Sequence, residues 1–156
     1  TTGTILVLGR RVDYLHYLSE TLNEQTNEDV FLVTGKHTSK KKRHDIYNSV
    51  KKTGGIFFAT EKIAGTGINI ENIDKIVLAT PLKSKITVLQ AIGRGCRLCE
   101  GKQYLEVYDF IDKIPLVGGK INSCYKWIDK KNAIYESEQF LNRTYILNLY
   151  IKNNNL

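Results

Sequence analysis

The sequence predicts an α/β domain built on an open, mainly parallel sheet with helices on both faces, followed by a C-terminal helical extension. Short apolar runs alternate along the first 110 residues with segments whose apolar residues recur at helical spacing. A polar residue or a glycine follows each run, as at the carboxyl ends of parallel strands. Strands that alternate with helices in this way form βαβ units with right-handed crossovers.

Five apolar runs predict the strands, and each is mostly apolar, which is typical of strands covered by helices on both faces. They span residues 5–8, 30–33, 56–59, 76–79 and 104–110. Helical spacing predicts helices over 12–22, 40–52 and 88–96. We expect a site where the strands end, at Gly9-Arg10, Thr34-Gly35, Thr60-Glu61, Thr80-Pro81 and Asp109.

The composition changes after Pro115, which predicts a domain over residues 1–114 and a helical extension over 115–156. Residues 124–134 and 140–151 are expected there to form one or two helices. Trp127 and the frequent tyrosines of this extension either stack nucleic-acid bases or pack as the core of a helical appendage.

Composition limits the classes of protein that this chain can be. Its 156 residues are 42% hydrophobic and 25% charged, which is enough to bury a core and excludes disorder, collagen and coiled coil. No apolar run approaches the ~20 residues of a membrane span, so no membrane partner is expected. Three cysteines form no disulfide framework, which predicts a reducing, intracellular compartment. The chain lacks methionine, and we expect it to be part of a longer protein.

Positive charge is concentrated in one part of the chain. The net charge is +7, and residues 36–52 alone carry +6, because seven Lys and Arg stand there against Asp45. A basic stripe of this kind fits the phosphates of nucleic acid. It is equally typical of a solvated helix face.

The most specific segment for function is residues 90–97, with the sequence QAIGRGCR. Arg94 and Arg97 lie three residues apart, close to one helical turn, so both guanidiniums can point the same way and offer a fork for a phosphate chain. Gly93 and Gly95 suit a place where a backbone or ligand approaches closely. Gln90 lies one turn upstream, where it can orient a water or a phosphate oxygen. The alternative is two surface arginines on an amphipathic helix.

A second segment, residues 59–70, follows the third strand. Thr60 ends this strand, and the backbone N–H groups of the Gly65-Thr66-Gly67 loop could hold an anion. A plain strand-to-helix turn is the alternative. The segment is not the P-loop G-x-x-x-x-G-K-[ST], which occurs nowhere in the chain.

In this order, the two segments resemble motifs V and VI of superfamily 2 helicases. Gln90, Gly93, Arg94 and Arg97 match the whole of motif VI, Q-x-x-G-R-x-x-R. Residues 5–12 resemble motif IV, and 33–36 with the basic helix resemble the segment after it. In motif V, Asn69 stands where the family usually has Asp. The resemblance spans roughly residues 4–112 and is closest to helicases of phages and large DNA viruses, including the poxvirus transcript-release helicase family.

The resemblance implies the second, C-terminal RecA-like domain of an ATP-dependent helicase, a family that binds ATP and Mg²⁺ between two such domains. The N-terminal RecA-like domain of the same chain is implied to carry the P-loop and the metal ligands, so this chain alone is predicted to be inactive. Arg94 and Arg97 are implied to be arginine fingers, and Gln90 to place the attacking water or the γ-phosphate.

The resemblance assigns the other candidate residues to two surfaces. Gly67, Asn69 and Gly93 are implied to bind ATP. A DNA or RNA backbone is implied to lie over Gly9, Arg10, Thr34, Gly35, Lys36 and Thr60. A viral source would place the protein in the host cytoplasm, a viral factory or the virion.

The residues also leave other functions open. A non-catalytic nucleic-acid-binding module with a relic helicase fold is the runner-up, favoured by the basic window and Asn69. A small-molecule α/β enzyme would need a catalytic base or a cofactor fingerprint, and the sequence offers neither.

No metal site is predicted. Cys96 and Cys99 form a C-x-x-C pair to which Cys124 could add a ligand, but buried thiols are favoured. Asp109 and Asp112 are interpreted as loop-capping aspartates rather than a catalytic pair.

Overall fold

The computed structural model describes residues 3–35, 38–65, 70, 72–82, 84–97 and 101–146. The strands are β1 (Thr4–Gly9), β2 (Val30–Val33), β3 (Gly55–Thr60), β4 (Ile73–Leu78) and β5 (Glu106–Asp109). They form one parallel sheet in the order β2-β3-β1-β4-β5. The helices are α1 (Val12–Asn23), α2 (Lys40–Thr53), α3 (Glu61–Gly65), α4 (Lys85–Gly95) and α5 (Ile128–Ser137). The predicted α/β fold is confirmed.

The two strands on one side of the sheet differ in length from the prediction. β4 begins at Ile73, three residues before the predicted apolar run, and β5 covers only 106–109 of the predicted 104–110. The start of β4 was not predicted, because Asp74 and Lys75 are polar and interrupt the apolar run on which the prediction was based. The Lys75 ammonium lies 3.0 Å from the Glu106 carboxylate on β5, so this polar pair joins the two strands.

Helices cover both faces of the sheet. α1 packs on one face, where Leu15 is fully buried in a cluster with Val7 and Phe58. α2 and α4 bury Val50 and Val88 in the larger cluster on the other face. Burial of an apolar side chain of this size contributes about 1.5–3 kcal/mol. This packing fixes the helices and therefore the polar residues that they carry.

All five strands end at the same side of the sheet, which we call the strand-end surface. From β1 the chain crosses to β2 on one side, and from β4 it crosses to β5 on the other. Open α/β sheets bind ligands where neighbouring strands diverge in this way. The Arg10 N–H donates to Thr80 Oγ1 at 3.1 Å across this divergence, so the backbone of the crevice is held in one position.

The C-terminal part contains a helix in the first of the two stretches that were predicted to be helical. A 3₁₀ turn at Tyr125–Trp127 leads into α5. The prediction of a helix over 140–151 is wrong for residues 140–146, which are irregular. Residues 147–151 lie outside the described residues. The side chains of Leu141 and Ile146 are exposed, so these residues bury no apolar face that would stabilise a helix. The division into residues 1–114 and 115–156 stays a prediction.

Candidate functional site

The predicted arginine pair lies at the end of α4. Arg94 is half-buried in the last turn, and Arg97 is exposed two residues beyond the helix end. The expectation that both arginines lie on one helical turn is therefore wrong, because the helix stops at Gly95. Burial and the neighbouring Arg97 guanidinium lower the pKa of Arg94, so the two positive charges are close enough to repel. An anion beside them would relieve this repulsion.

Lys102 fixes the segment that carries both arginines. Its ammonium donates to the carbonyls of Gly95 and Ile73, and it lies 3.5 Å from the carbonyl of Arg97. A cation at these carbonyls satisfies the end of α4 and complements the helix dipole. Ile73 begins β4, so the last turn of α4 lies at the opposite end of the sheet from the strand-end surface. The sequence analysis did not predict this role for Lys102, because Lys102 lies six residues beyond the predicted end of the helix at 96 and outside the usual capping positions.

The two motif glycines serve different purposes. A Cβ on Gly95 would lie 2.6 Å from a Leu105 methyl group and 2.9 Å from a methyl group of Ile76, so its hydrogen side chain permits close packing of α4 on the sheet. A Cβ on Gly93 would meet nothing within 4 Å. The predicted close approach is therefore present at Gly95 as core packing, and Gly93 faces open space where a ligand could lie.

A narrow cleft runs from the strand-end surface along α4 towards Arg94. Side chains in helices lean towards the helix N-terminus, so Arg94 reaches back along α4 in the direction of this surface. The cavity volume is about 20 Å³, room for one water molecule. Its lining residues are Leu8, Glu61, Leu82, Thr87, Gln90, Ala91 and Arg94. The structure thus brings Gln90 and Arg94 together, as predicted.

Glu61 is an acidic residue in this cleft, and the sequence analysis named it only as part of a strand end, with no role of its own. Its Oε1 atom is buried and has no hydrogen-bond partner in the described part of the chain. Among the described residues it forms an ion pair with the Arg10 guanidinium, whose Nε lies 3.6 Å away, too far for a hydrogen bond. Burial raises the pKa of Glu61, and Arg10 partly opposes this rise. A charged residue directly after a buried strand was the available signal.

A second basic group borders the arginines. Tyr47 of α2 packs edge to face on Phe57, with ring centroids 5.7 Å apart. Burial raises the pKa of Tyr47, while Arg43 and Arg94 lower it, so both guanidiniums lie near this phenol. The Nε of Arg43 is buried and has no hydrogen-bond partner among the described residues. Arg43 thus adds to the positive potential around Arg94, a contribution that only the packing of α2 reveals.

The predicted nucleic-acid residues on the strand-end surface differ in accessibility. Arg10 and Gly35 are exposed, whereas Gly9 is buried against Leu15. Thr34 and Thr60 are only 2% and 8% exposed. Lys36, Gly67 and Asn69 lie outside the described residues. Contact of any of these residues with nucleic acid or ATP stays a prediction.

Three lysines form the first turn of α2, next to the end of β2. Lys40, Lys41 and Lys42 are exposed, and Ser39 caps the helix by accepting from the Lys42 N–H at 3.2 Å. Positive side chains at a helix N-terminus oppose the helix dipole, which favours acidic residues there. This arrangement therefore costs some helix stability and creates a strong positive potential at the surface.

Asp109, at the end of β5, holds α5. Its carboxylate oxygens lie 2.5 and 2.6 Å from the Lys131 ammonium, and Oδ2 accepts from the Tyr135 hydroxyl at 2.6 Å. Lys131 is 2% exposed. Asp109 is thus a structural anchor in a strand, and the expectation of a loop-capping aspartate is wrong for it.

The cysteine side chains differ in exposure, and the expectation that they are buried does not hold for all of them. Cys96, the C-cap residue of α4, is exposed, so the buried-thiol expectation is wrong for it. Cys124 is half-buried, and Cys99 lies outside the described residues. Among the residues that the structure describes, no three His, Cys, Asp or Glu side chains come together as a metal site. Within the same residues, no helix has the length and apolar character to cross a membrane.

A five-stranded parallel sheet with paired arginines at the end of a Q-x-x-G-R-x-x-R helix defines a RecA-like domain of the superfamily 2 helicase class. The family model described as "Helicase conserved C-terminal domain" matches residues 1–99, so the chain belongs to this family. The predicted family and the predicted position as the C-terminal RecA-like domain are confirmed.

Known proteins support the same assignment. The "ATP-dependent DNA helicase uvsW" of Enterobacteria phage T4 is 37% identical over 75 residues, which cover 48% of this chain and 15% of that protein. The crystal structure of T4 UvsW superposes with a TM-score of 0.68 and 24% identity, over 88% of this chain and 30% of that chain. The C-terminal domain of the DEAD-box protein Dbp5 gives a TM-score of 0.66 at 14% identity, over 88% of this chain and 71% of that chain.

The chain thus spans less than a third of the phage protein. Similarity to a phage helicase is confirmed, whereas similarity to the poxvirus family stays a prediction.

Proposed function

We propose that this chain is the second motor domain of an ATP-dependent nucleic-acid helicase or translocase, and that it supplies the arginine fingers. The observation that carries the proposal is the motif VI segment, in which Gln90 and Arg94 line one cleft and Arg97 follows the end of α4. Arg94 and Arg97 supply positive charge for a polyanion, and Arg43 adds a third positive group near Arg94. A triphosphate fits this charge and the open space at Gly93.

In the proposed reaction, the chain acts across a cleft with a preceding RecA-like domain. Arg94 and Arg97 stabilise the negative charge that develops on the γ-phosphoryl group as it is transferred to water. Gln90 orients that water or a γ-phosphate oxygen. The ligands of Mg²⁺ are proposed to lie on the preceding domain, as the resemblance to superfamily 2 helicases implies. The isolated chain is then inactive.

Nucleic acid is proposed to bind across the strand-end surface. Exposed Arg10 and the lysines of the first turn of α2 provide cations for backbone phosphates, and the net charge of +7 favours the same ligand. The similarity to a T4 DNA helicase makes DNA the first polymer to test, with RNA beside it. Contacts to phosphates hold a strand without reading its sequence, as translocation requires.

The test compares ATP hydrolysis by the full-length protein and by this chain alone, each with DNA, with RNA and without nucleic acid. We expect turnover only from the full-length protein, with stimulation by one polymer. Exchange of Lys40, Lys41 and Lys42 for Ala is expected to raise the polymer concentration needed for half-maximal stimulation and to reduce its dependence on salt. Turnover by this chain alone would contradict the proposal. Nucleic-acid binding without ATP hydrolysis by the full-length protein would favour the binding-module alternative.

A further inference from the structure

The sheet face on the α1 side carries exposed aromatic side chains near its β5 edge. α1 packs mainly over β1, β2 and β3, whereas β5 lies beyond β4 at the edge of the sheet. Tyr108 pairs with Val77, which packs in the cluster with α1, so both side chains point to this face. Tyr104, Tyr108 and Phe110 are 68%, 45% and 50% exposed. No element of the described structure therefore covers this part of the face.

Tyr108 and Phe110 share one face because successive residues of a strand point to opposite sides. The Phe110 N–H donates to the Leu78 carbonyl at 3.4 Å, so the strand pattern continues beyond the end of β5. Leu105 and Val107 pack in the larger cluster on the opposite face. Alternate side chains of a strand lie about 6.8 Å apart, twice the roughly 3.4 Å separation of stacked bases. Each ring can therefore take its own base from a nucleic-acid strand whose bases are unstacked.

A network of polar contacts holds the Tyr108 ring. Its hydroxyl donates to Glu106 Oε2 at 2.8 Å, and the same oxygen lies 3.0 Å from the Lys75 ammonium. A ring that is already held in place loses little conformational entropy when a ligand stacks on it. Because Lys75 and Glu106 carry opposite charges, the network as a whole is neutral and does not repel a phosphate backbone.

Phe110 also lies at the strand-end surface, since it follows the last residue of β5. β1, which leads to Arg10, is two strands away in the sheet, or about 10 Å. A nucleic-acid strand whose phosphates contact Arg10 therefore reaches Phe110 if it continues across the surface. The net charge of +7 favours such a polyanion. Aromatic rings beside a cationic path are the usual means of binding single-stranded nucleic acid.

We propose that Tyr108 and Phe110 form a stacking platform for the bases of a single-stranded nucleic acid that leaves the strand-end surface over β5. This inference rests on the proposed nucleic-acid binding and adds contacts to bases, whereas the strand-end surface contacts phosphates. Since every base has a face on which a ring can stack, the platform strengthens binding without reading sequence. It also favours single strands over a duplex, whose bases are already stacked on one another.

The experiment measures the dissociation constant of a fluorescent single-stranded DNA oligonucleotide from the full-length protein over a range of salt concentrations, with RNA of the same sequence beside it. We expect Phe110→Ala to weaken binding roughly tenfold, because loss of one stacked base has an effect of this order. The dependence of the constant on salt should stay the same, since no phosphate contact is lost. Phe110→Tyr keeps an aromatic ring and should bind normally.

An abasic oligonucleotide with the same phosphates separates stacking from a general change of the surface. Phe110→Ala and the unsubstituted protein should bind it equally, because it offers no base to the ring. Tyr17→Ala is the matched control, because Tyr17 is an aromatic residue that is 63% exposed on α1. This variant should bind both oligonucleotides normally.

Unchanged affinity in Phe110→Ala, or a loss that persists with the abasic oligonucleotide, would overturn the inference alone if the unsubstituted protein binds the normal oligonucleotide. A loss that comes with a weaker dependence on salt would also overturn it, because Phe110 would then act through phosphate contacts. Failure of the unsubstituted protein to bind DNA or RNA would overturn the proposed function as well.

Discussion

Asp109 and Glu61 are carboxylates at the ends of two strands of the same sheet, and their surroundings differ sharply. Asp109 accepts three short contacts of 2.5–2.6 Å from Lys131 and Tyr135. Within the described part of the chain, Glu61 has one ion pair, at 3.6 Å, with a largely exposed arginine. A fully paired charge gives a fixed structure, whereas a poorly paired one responds to ligands. On the strand-end surface, Asp109 therefore marks the side that holds α5, and Glu61 marks the side that we expect to bind ligands.

The largest effect is expected at Asp109. Asp109→Asn removes the charge that pairs with buried Lys131, which is then left without its counter-ion. Breaking a buried ion pair costs about 3–5 kcal/mol. We expect a loss of this size in the free energy of unfolding, measured by urea denaturation, with α5 detaching first. Asp112→Asn is the control, because Asp112 is exposed, and it should change stability by less than about 0.5 kcal/mol. An equal loss in both variants would remove the distinction between anchor and surface carboxylate.

A smaller effect is expected at Tyr135. Tyr135→Phe removes the hydrogen bond to Asp109 and leaves the ion pair with Lys131 intact. A hydrogen bond to a charged group contributes about 1.5–3 kcal/mol, and we expect the lower value because Asp109 keeps its cation. Burial and Asp109 raise the pKa of Tyr135, so the hydroxyl remains a donor and the loss should be independent of pH across the neutral range. Tyr145→Phe, at an exposed position, should cost nothing measurable in the same denaturation assay.

The smallest effect on stability is expected at Glu61. Its pKa is raised in the folded state, so folding favours the protonated form, and stability falls as the pH rises from the ordinary glutamate pKa to the raised one. Glu61→Gln should abolish this fall and change the free energy of unfolding near neutral pH by no more than about 0.5 kcal/mol. Parallel pH–stability curves for the variant and the unsubstituted protein would contradict the account of a poorly paired carboxylate.

The strands and most helices could be predicted because their signals are local. Apolar runs gave the five strands, and capping residues such as Ser39 mark where helices begin. The start of β4 and the irregular stretch after α5 were missed, because polar strand residues and exposed apolar residues depend on what lies beside them in space.

The candidate site was predictable only where a motif specified it. Gln90 and Arg94 lie together as expected, but Arg97 leaves the helix and Asp109 serves as an anchor. The contacts of Glu61 and Lys102 could not be predicted from the sequence, because their partners come from other elements of the fold. Pairings across the sheet are set by tertiary packing, which residue spacing does not encode.

The central claim is that the motif VI arginines act on the transferred phosphoryl group. The most direct measurement is single-turnover ATP hydrolysis by the full-length protein with saturating nucleic acid, beside Arg97→Ala and the exposed control Arg143→Ala. Loss of an arginine finger costs 10³-fold or more in rate, so we expect Arg97→Ala to be slower by roughly that factor while ATP affinity changes only a few-fold. Arg143→Ala should hydrolyse ATP at the normal rate. A hydrolysis rate unchanged by Arg97→Ala would contradict the claim and leave a nucleic-acid-binding domain with a relic motif.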